Sequence, residues 1–220
     1  MCGISGLWEQ TAGSAEALEA IGRAMSRSLS HRGPDADGVW SDAAVSLVLS
    51  HRRLSILDLS PEGAQPMMSA SGRYVIVYNG EIYNHLTLRQ RLDQVHDAPQ
   101  WRGHSDTETL LAAIEAWGLD AALNAATGMF ALALWDRKTH SLYLARDRMG
   151  EKPLYYGHAA SRLFFASELN AILQVPGVSP RLDRRALVDG SDDVAGDGSE
   201  HDVIFPGKRS ATPKDLRRRR

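Results

Sequence analysis

An α+β fold, with two antiparallel sheets and helices packed outside them, is the class that the order of elements in this sequence predicts. Helical periodicities separate the early strands, whereas from Met129 onward short β-rich runs follow one another through turns with no helix between them. A chain of 220 residues, 43% hydrophobic and 24% charged, can bury the full core such a fold needs, as one domain or at most two.

Composition also excludes several classes of function. A formal net charge of -2 offers no overall basic field for nucleic acid or an anionic membrane surface. No apolar run approaches the roughly 18 residues of a spanning helix, and the first residues lack the basic-then-apolar plan of a secretion signal. The single cysteine cannot form an internal disulfide, so a cytoplasmic location is expected, with no membrane partner.

The first element is a strand. Ile4 and Leu7-Trp8 give the segment after Met1-Cys2-Gly3 its apolar character, and Gly3 and Gly6 let other backbone approach closely. Cys2 is the only cysteine, and loss of Met1 would place a thiol and a free α-amine on one residue. An α-amine with a pKa of about 7.7 to 8.0 is partly unprotonated near neutral pH and can take the proton of a thiol with a pKa of about 8.5. Taken alone, Cys2 is read equally well as an accident at a frayed terminus.

Next comes a packing helix, because Leu18, Ile21, Met25 and Leu29 recur at helical spacing with Glu16 and Glu19 early and Arg23 and Arg27 late. It stops before His31-Arg32-Gly33-Pro34-Asp35, which reads as a turn rather than a site. Val45, Leu47 and Leu49 alternate with Ser46 and Ser50 as in a strand, leading into His51-Arg52-Arg53-Leu54-Ser55-Ile56-Leu57-Asp58. Arg52 reads as part of a solvated basic patch.

Pro61 to Gly72 is rich in turn residues, and Tyr74 to Tyr78 is a β-rich run expected to halt at Asn79-Gly80. Glu81-Ile82-Tyr83-Asn84-His85 then enters a helix carrying Leu86 and Leu92, so the turn links strand to helix. There the Asn79 amide and the Gly80 N–H would sit at an exposed strand end, where paired donors can stabilise an oxyanion; most Asn-Gly pairs are only turns.

Ser105-Asp106-Thr107-Glu108 has the capping-box pattern ahead of Leu110, Leu111, Ile114 and Trp117, with Gly118 as the stop. Asp106 therefore has a structural reason to exist in a first helical turn. Hairpins follow: Met129 to Trp135, a turn at Asp136-Arg137-Lys138, Ser141 to Ala145, Pro153 to Gly157 and Leu163 to Ala166, expected to form an antiparallel sheet. Asp189 to Asp202 is acidic and Lys208 to Arg220 basic, with almost no apolar periodicity, so 189–220 is expected to be a disordered tail. Its basic tip is more often solvated than bound to nucleic acid, which is not an expected partner. There is no phosphate-cradling Gly-x-x-x-x-Gly-Lys loop, and no metal is expected.

Six stretches occur in one order along the chain: Met1-Cys2-Gly3-Ile4, His31-Arg32-Gly33-Pro34-Asp35, Arg53-Leu54-Ser55-Ile56, Asn79-Gly80-Glu81-Ile82-Tyr83-Asn84, Gly103-His104-Ser105-Asp106-Thr107-Glu108, and Arg146-Asp147-Arg148-Met149-Gly150 with Lys152-Pro153-Leu154-Tyr155-Tyr156. In this the chain resembles the glutaminase half of glutamine-dependent asparagine synthetase, a class II glutamine amidotransferase of the N-terminal-nucleophile hydrolases, from residue 2 to about 188. The resemblance implies a four-layer αββα sandwich, two antiparallel sheets between helical layers, which the element order permits but does not single out. It implies Cys2 as nucleophile toward the glutamine amide, with its α-amine as base and then acid. Asn79 and Gly80 match the oxyanion hole, Arg53 the grip on the substrate α-carboxylate, Asp106 the partner of its α-ammonium, and Glu81 a further binding residue.

The resemblance stops short of the ATP-dependent synthetase domain, whose Ser-Gly-Gly-x-Asp-Ser loop does not occur in the sequence. No cofactor is therefore expected in this chain, ATP and magnesium belonging to the missing half, and a synthetase domain or subunit acting in trans is the implied partner beside glutamine. A standalone glutaminase and a truncated, unproductive remnant serving only for binding or regulation remain the two readings, and the ammonia acceptor stays open.

Overall fold

The computed structural model describes residues 1–9, 14–55, 60–94, 99–159 and 161–178, and the backbone of 203–204 and 209–211. Among them, two antiparallel sheets stack face to face. The first contains β1 (Gly3–Glu9), β2 (Ala36–Asp42), β3 (Leu47–Arg53), β8 (Tyr155–Ala159), β9 (Arg162–Ala166) and β10 (Val203–Ile204), in the order β10-β8-β9-β1-β3-β2. The second contains β4 (Met67–Met68), β5 (Tyr74–Ile82), β6 (Gly128–Asp136), β7 (Ser141–Arg146) and β11 (Arg209–Ala211), in the order β11-β7-β6-β5-β4. Helix α1 (Ala15–Ser28) and the short α5 (Leu169–Ile172) cover the first sheet, while α2 (His85–Leu92), α3 (Asp106–Trp117) and α4 (Leu119–Ala125) cover the second. The result is the four-layer αββα sandwich. None of the described helices is long and apolar enough to cross a membrane.

Side-chain parity explains the layers. Along β1 and β3, Ile4, Trp8, Leu47 and Leu49 meet Val75, Val77, Ala133 and Trp135 between the sheets. Leu7 and Val48 point the other way, onto Leu18, Met25 and Leu29 of α1. In the second sheet Ile76, Tyr78, Leu132 and Leu134 face Leu88, Leu110, Leu111 and Ile114 of the helices. A central strand covered on both sides is buried on both faces, which is why β3, expected here as a strand, is buried continuously from Leu47 to His51. Ser50 is buried against Ser5 by a 2.6 Å hydroxyl pair.

Several expectations need correction. Asn79-Gly80 is not a turn: β5 runs through it to Ile82 in unbroken register with β6, Asn79 opposite Ala131 and Gly80 opposite Phe130. Glycine is needed there for close packing, since a Cβ on Gly80 would sit 2.4 Å from the Met129 carbonyl oxygen and 2.7 Å from Phe130 Cβ. In α2 the buried residues are Leu88 and Leu92, while Leu86 is exposed. The hairpin strands do not share one sheet, because β6 and β7 join the second and β8 and β9 the first. Strand β2 and helices α4 and α5 had no periodic apolar signal of their own. Within the stretch expected to be a disordered tail, Val203–Ile204 pairs with β8 and Arg209–Ala211 with β7. Backbone groups at a sheet edge accept a short strand whatever its apolar pattern. The rest of 189–220 lies outside the described residues.

The stop signals hold. Ser105 caps α3 by accepting from Glu108 N–H at 3.1 Å, and Gly118 ends it with φ of 83°. The Glu108 carboxylate does not return to the cap residue. It accepts instead from Arg102 N–H and Gly103 N–H and pairs with Arg89, pinning the loop ahead of the helix.

Candidate active site

At one end of the inter-sheet core the two sheets leave a pocket of about 130 Å³ lined by Cys2, Arg53, Asn79, Gly80, Glu81 and Asp106. All six residues singled out in the sequence meet there. Parity brings them together: Cys2 shares the face of Ile4, Arg53 that of Leu49 and His51, and Asn79 and Glu81 that of Val77, all directed between the sheets.

The same parity separates the two arginines. Arg53 faces the pocket, with Nη1 donating to Ser60 O at 2.9 Å. Arg52 turns toward α1, where Nε donates to Ser26 O at 3.1 Å, and its side chain is only 16% exposed. It is a packed strand-to-helix tie and not a solvated basic residue, because the helix lies on that face of β3.

Cys2 sits just ahead of β1. Leu54 N–H points at its Sγ at 3.4 Å, and the thiol lies 3.6 Å from Leu54 O. Burial pushes the thiol pKa above its ordinary value, although the Leu54 N–H, the N-terminal charge and Arg53 pull it down. The thiol is therefore protonated at neutral pH and needs a base to become a nucleophile. Its carbonyl is held by Arg32 Nε at 3.1 Å, and Arg32 is fixed in turn by Glu168 at 2.8 Å. The His31-Arg32 stretch, read as a turn, thus orients the residue on which the pocket centres.

The second sheet supplies hydrogen-bond donors through an open strand edge. β4 pairs with β5 only at Val75 and Ile76. Beyond that point side chains replace the missing strand: Gln65 Oε1 accepts from Tyr78 N–H at 2.7 Å, His51 Nε2–H donates to Tyr78 O at 3.1 Å, and Asp106 Oδ2 accepts from Ile82 N–H at 2.8 Å. Since backbone N–H groups alternate sides along a strand, Gly80 N–H points to the same edge, between these two filled positions. Next to it, Asn79 is 2% exposed and its Nδ2 is buried without a hydrogen-bond partner. A buried amide left without an acceptor is costly unless a ligand supplies one.

Electrostatics sort the remaining groups. His51 is buried and pushed down to about 3, by burial first and by Arg53 as well, against the pull of its bond to Tyr78 O. It is neutral and acts as a tie between the sheets. Burial also pushes the Asp106 carboxyl up, although Ile82 N–H and the Tyr78 hydroxyl at 3.0 Å stabilise its ionised form. Tyr78 remains a phenol, since burial and Asp106 hold its pKa well above the ordinary value. A cation placed against Asp106 would offset that burial. Among the described residues no group of three or more His, Cys, Asp or Glu is placed to hold a metal ion.

Sequence reasoning missed His51, Gln65, Tyr78 and Lys152, which also line the pocket. His51 had a readable signal, standing two residues before Arg53 on the same strand face. Gln65 had none, because its contact depends on where β4 ends.

Comparison with known proteins gives a consistent result. A family model described as a glutamine amidotransferase domain matches residues 1–192. Asparagine synthetase [glutamine-hydrolyzing] 3 of Bacillus subtilis is 38% identical over 194 residues, which cover 85% of this chain and 30% of that protein. Asparagine synthetase B [glutamine-hydrolyzing] of Escherichia coli is 37% identical over 176 residues, 80% of this chain and 30% of that protein. The chain thus spans under a third of the length of these relatives. Among solved structures, the glutamine phosphoribosylpyrophosphate amidotransferase of Bacillus subtilis superimposes with a TM-score of 0.64 at 23% identity, over 79% of this chain and 43% of that one, a likeness of fold.

Proposed function

The chain belongs to the family of glutamine amidotransferase domains, and from that premise we propose that it hydrolyses glutamine to glutamate and ammonia through a thioester on Cys2. The observation that carries this reading is the pairing, in one pocket, of a buried thiol with an Asn79 amide that has no partner of its own. The zwitterionic end of glutamine fits the two charges supplied there. Arg53 takes the α-carboxylate and Asp106 the α-ammonium, with Glu81 beside them.

Loss of Met1 frees the α-amine of Cys2, which accepts the thiol proton as sulfur attacks the amide carbon. The carbonyl oxygen becomes an oxyanion between Asn79 Nδ2 and Gly80 N–H. On collapse the carbon–nitrogen bond breaks, the protonated amine returns its proton to the departing NH2, and ammonia leaves a thioester behind. Water then gives a proton to the amine as its oxygen attacks the thioester, and the thiolate departs and is reprotonated. The balance is one water consumed for one ammonia and one glutamate.

This half-reaction takes nothing from ATP or magnesium. Ammonia would pass to a synthetase unit of the kind named in the relatives, in the same chain or in trans. An unproductive binding remnant is distinguished by intact mass after exposure to a glutamine-mimicking diazoketone. Loss of one methionine followed by a single adduct at Cys2 is expected. An unmodified chain, or full activity in a variant with one Ala inserted between Met1 and Cys2, would overturn the mechanism, since that insertion keeps the thiol and displaces the amine.

A further inference from the structure

The last of the six motifs, Arg146 to Tyr156, has no part in the mechanism so far, yet it delivers a cation to the pocket. Lys152 is 7% exposed and lines the same pocket as Cys2. Among the described residues its Nζ has one neighbour in hydrogen-bonding range, Met1 Sδ at 3.5 Å. A thioether is a weak acceptor, so this buried ammonium has no counter-ion to hold it.

Its place is fixed by the backbone instead. The Asp147 carboxylate accepts from Glu151 N–H at 3.0 Å, from Lys152 N–H at 3.1 Å and from Phe130 N–H at 3.2 Å. Arg146 Nε donates to Lys152 O at 2.6 Å, and its Nη2 bonds to Gly150 O. Five hydrogen bonds from two motif residues thus pin the segment that carries the lysine. So much order around an unpaired buried charge is unexplained by folding alone.

We propose that Lys152 is a positioning residue whose ammonium, left facing the space vacated by Met1, keeps the freed α-amine of Cys2 unprotonated so that it can serve as base at neutral pH. The inference rests on the reading of that amine as the base. Other charged groups surround the amine. Arg32 binds the Cys2 carbonyl, Arg53 stands at the end of β3, Glu81 on β5 and Asp106 at the start of α3, while His51 is neutral. Arg53 and the two carboxylates are committed to the substrate head group in the proposed complex. Lys152 is the cation on the residue-1 side, where the amine forms, and a like charge there disfavours the ammonium form.

Nζ stands 3.5 Å from the side chain of Met1, the residue bonded to the Cys2 nitrogen, well inside the roughly 8 to 10 Å over which a like charge is felt. A like charge in that range disfavours the ammonium form by about one pH unit. The test is the pH profile of kcat/KM for glutamine between about pH 5 and pH 9, measured on the full chain after confirmed loss of Met1. The acidic limb of Lys152→Met should lie about one pH unit higher than that of the parent, and Lys152→Arg should restore it. Lys152→Gln serves if the Met variant does not fold. An unmoved limb in a folded, charge-free variant overturns the role of Lys152, even if the rate falls. If the parent limb survives the Ala insertion between Met1 and Cys2, the amine is not the base, and the proposed mechanism falls together with this inference.

Discussion

The two sheets build the pocket in opposite ways. The first contributes positions at strand ends: Cys2 stands before β1 and Arg53 is the last residue of β3. The second contributes the interior of a nine-residue strand, with Asn79 and Gly80 held against β6 on one side and a row of side chains on the other. In the proposed mechanism the nucleophile must change bonding partners and gain its base by processing, and a chain end allows both. Oxyanion donors work by not reorganising, which a strand locked in register provides. Polar ties that cross between these parts, above all His51 to Tyr78 O, set how far the mobile chemistry stands from the fixed dipoles.

The largest expected effects separate these contributions kinetically. Arg53→Ala should weaken glutamine use by about 2 to 5 kcal/mol, the range for truncating one partner of a buried charged contact. The effect belongs mainly in KM if the head group is held equally in ground and transition states. Asn79→Ala should instead lower kcat by about 10²- to 10³-fold with KM little changed, because in the proposed mechanism its amide acts on charge that develops in the transition state. Steady-state kinetics of the two variants check this. Matching profiles would mean that the two sheets do not divide the work as described.

That division was only half legible in the sequence. Cys2 stood out because a lone thiol next to a potential terminal amine has chemical meaning wherever the strand goes. Asn79-Gly80 was noticed for a wrong reason. The dipeptide favours a turn locally, but pairing along β6 and the close approach of Met129 and Phe130 outweigh that preference. A glycine demanded by packing and one demanded by a turn look the same in a sequence. The assignment of Arg53 over Arg52 follows from strand parity once one inward residue is known, yet no local pattern says which face is inward when both are buried. The open edge of β5 depends on β4 being two residues long and on side chains 13 to 28 positions away in sequence, which leaves no periodic trace.

The cross-sheet tie can be loosened with acid. His51 is held at about 3 against an ordinary value of 6.5, so between those values the unfolded chain binds a proton that the folded chain does not. Stability from this group is fully present above about pH 6.5 and falls as pH drops toward 3, by about 1.4 kcal/mol per pH unit. His51→Gln keeps a donor for Tyr78 O and does not titrate. Denaturant unfolding at pH 7 and pH 4.5 should therefore show the parent losing about 2 to 3 kcal/mol more than the variant. Asp136, Asp147 and Glu168, whose carboxyls are held below their ordinary values, add an acid loss common to both proteins. Equal losses in the two would mean that His51 is not the buried neutral group described.

The smallest effect concerns Asp106, where the fixed side of the pocket carries a charge it would be more stable without. Burial raises its carboxyl above the ordinary value, so the stability linked to this group is present at low pH and lost as pH rises through the folded-state value. At pH 8 the penalty is fully expressed. Asp106→Asn removes the charge while leaving an amide oxygen to accept from Ile82 N–H and the Tyr78 hydroxyl. Against this gain stands the loss of a carboxylate in the first turn of α3, where the helix dipole favours it by about 0.3 to 1 kcal/mol. Desolvation is the larger influence on this carboxyl, so the melting temperature of Asp106→Asn should rise at pH 8 by a few degrees, corresponding to about 1 kcal/mol, and converge with the parent near pH 3. Glutamine use should fall in the same variant, because the substrate ammonium would lose its proposed partner. A variant less stable than the parent at pH 8 would show instead that Asp106 is retained for its charge in the first turn of α3 and its hydrogen bonds, and the trade between stability and substrate binding at this position would not exist.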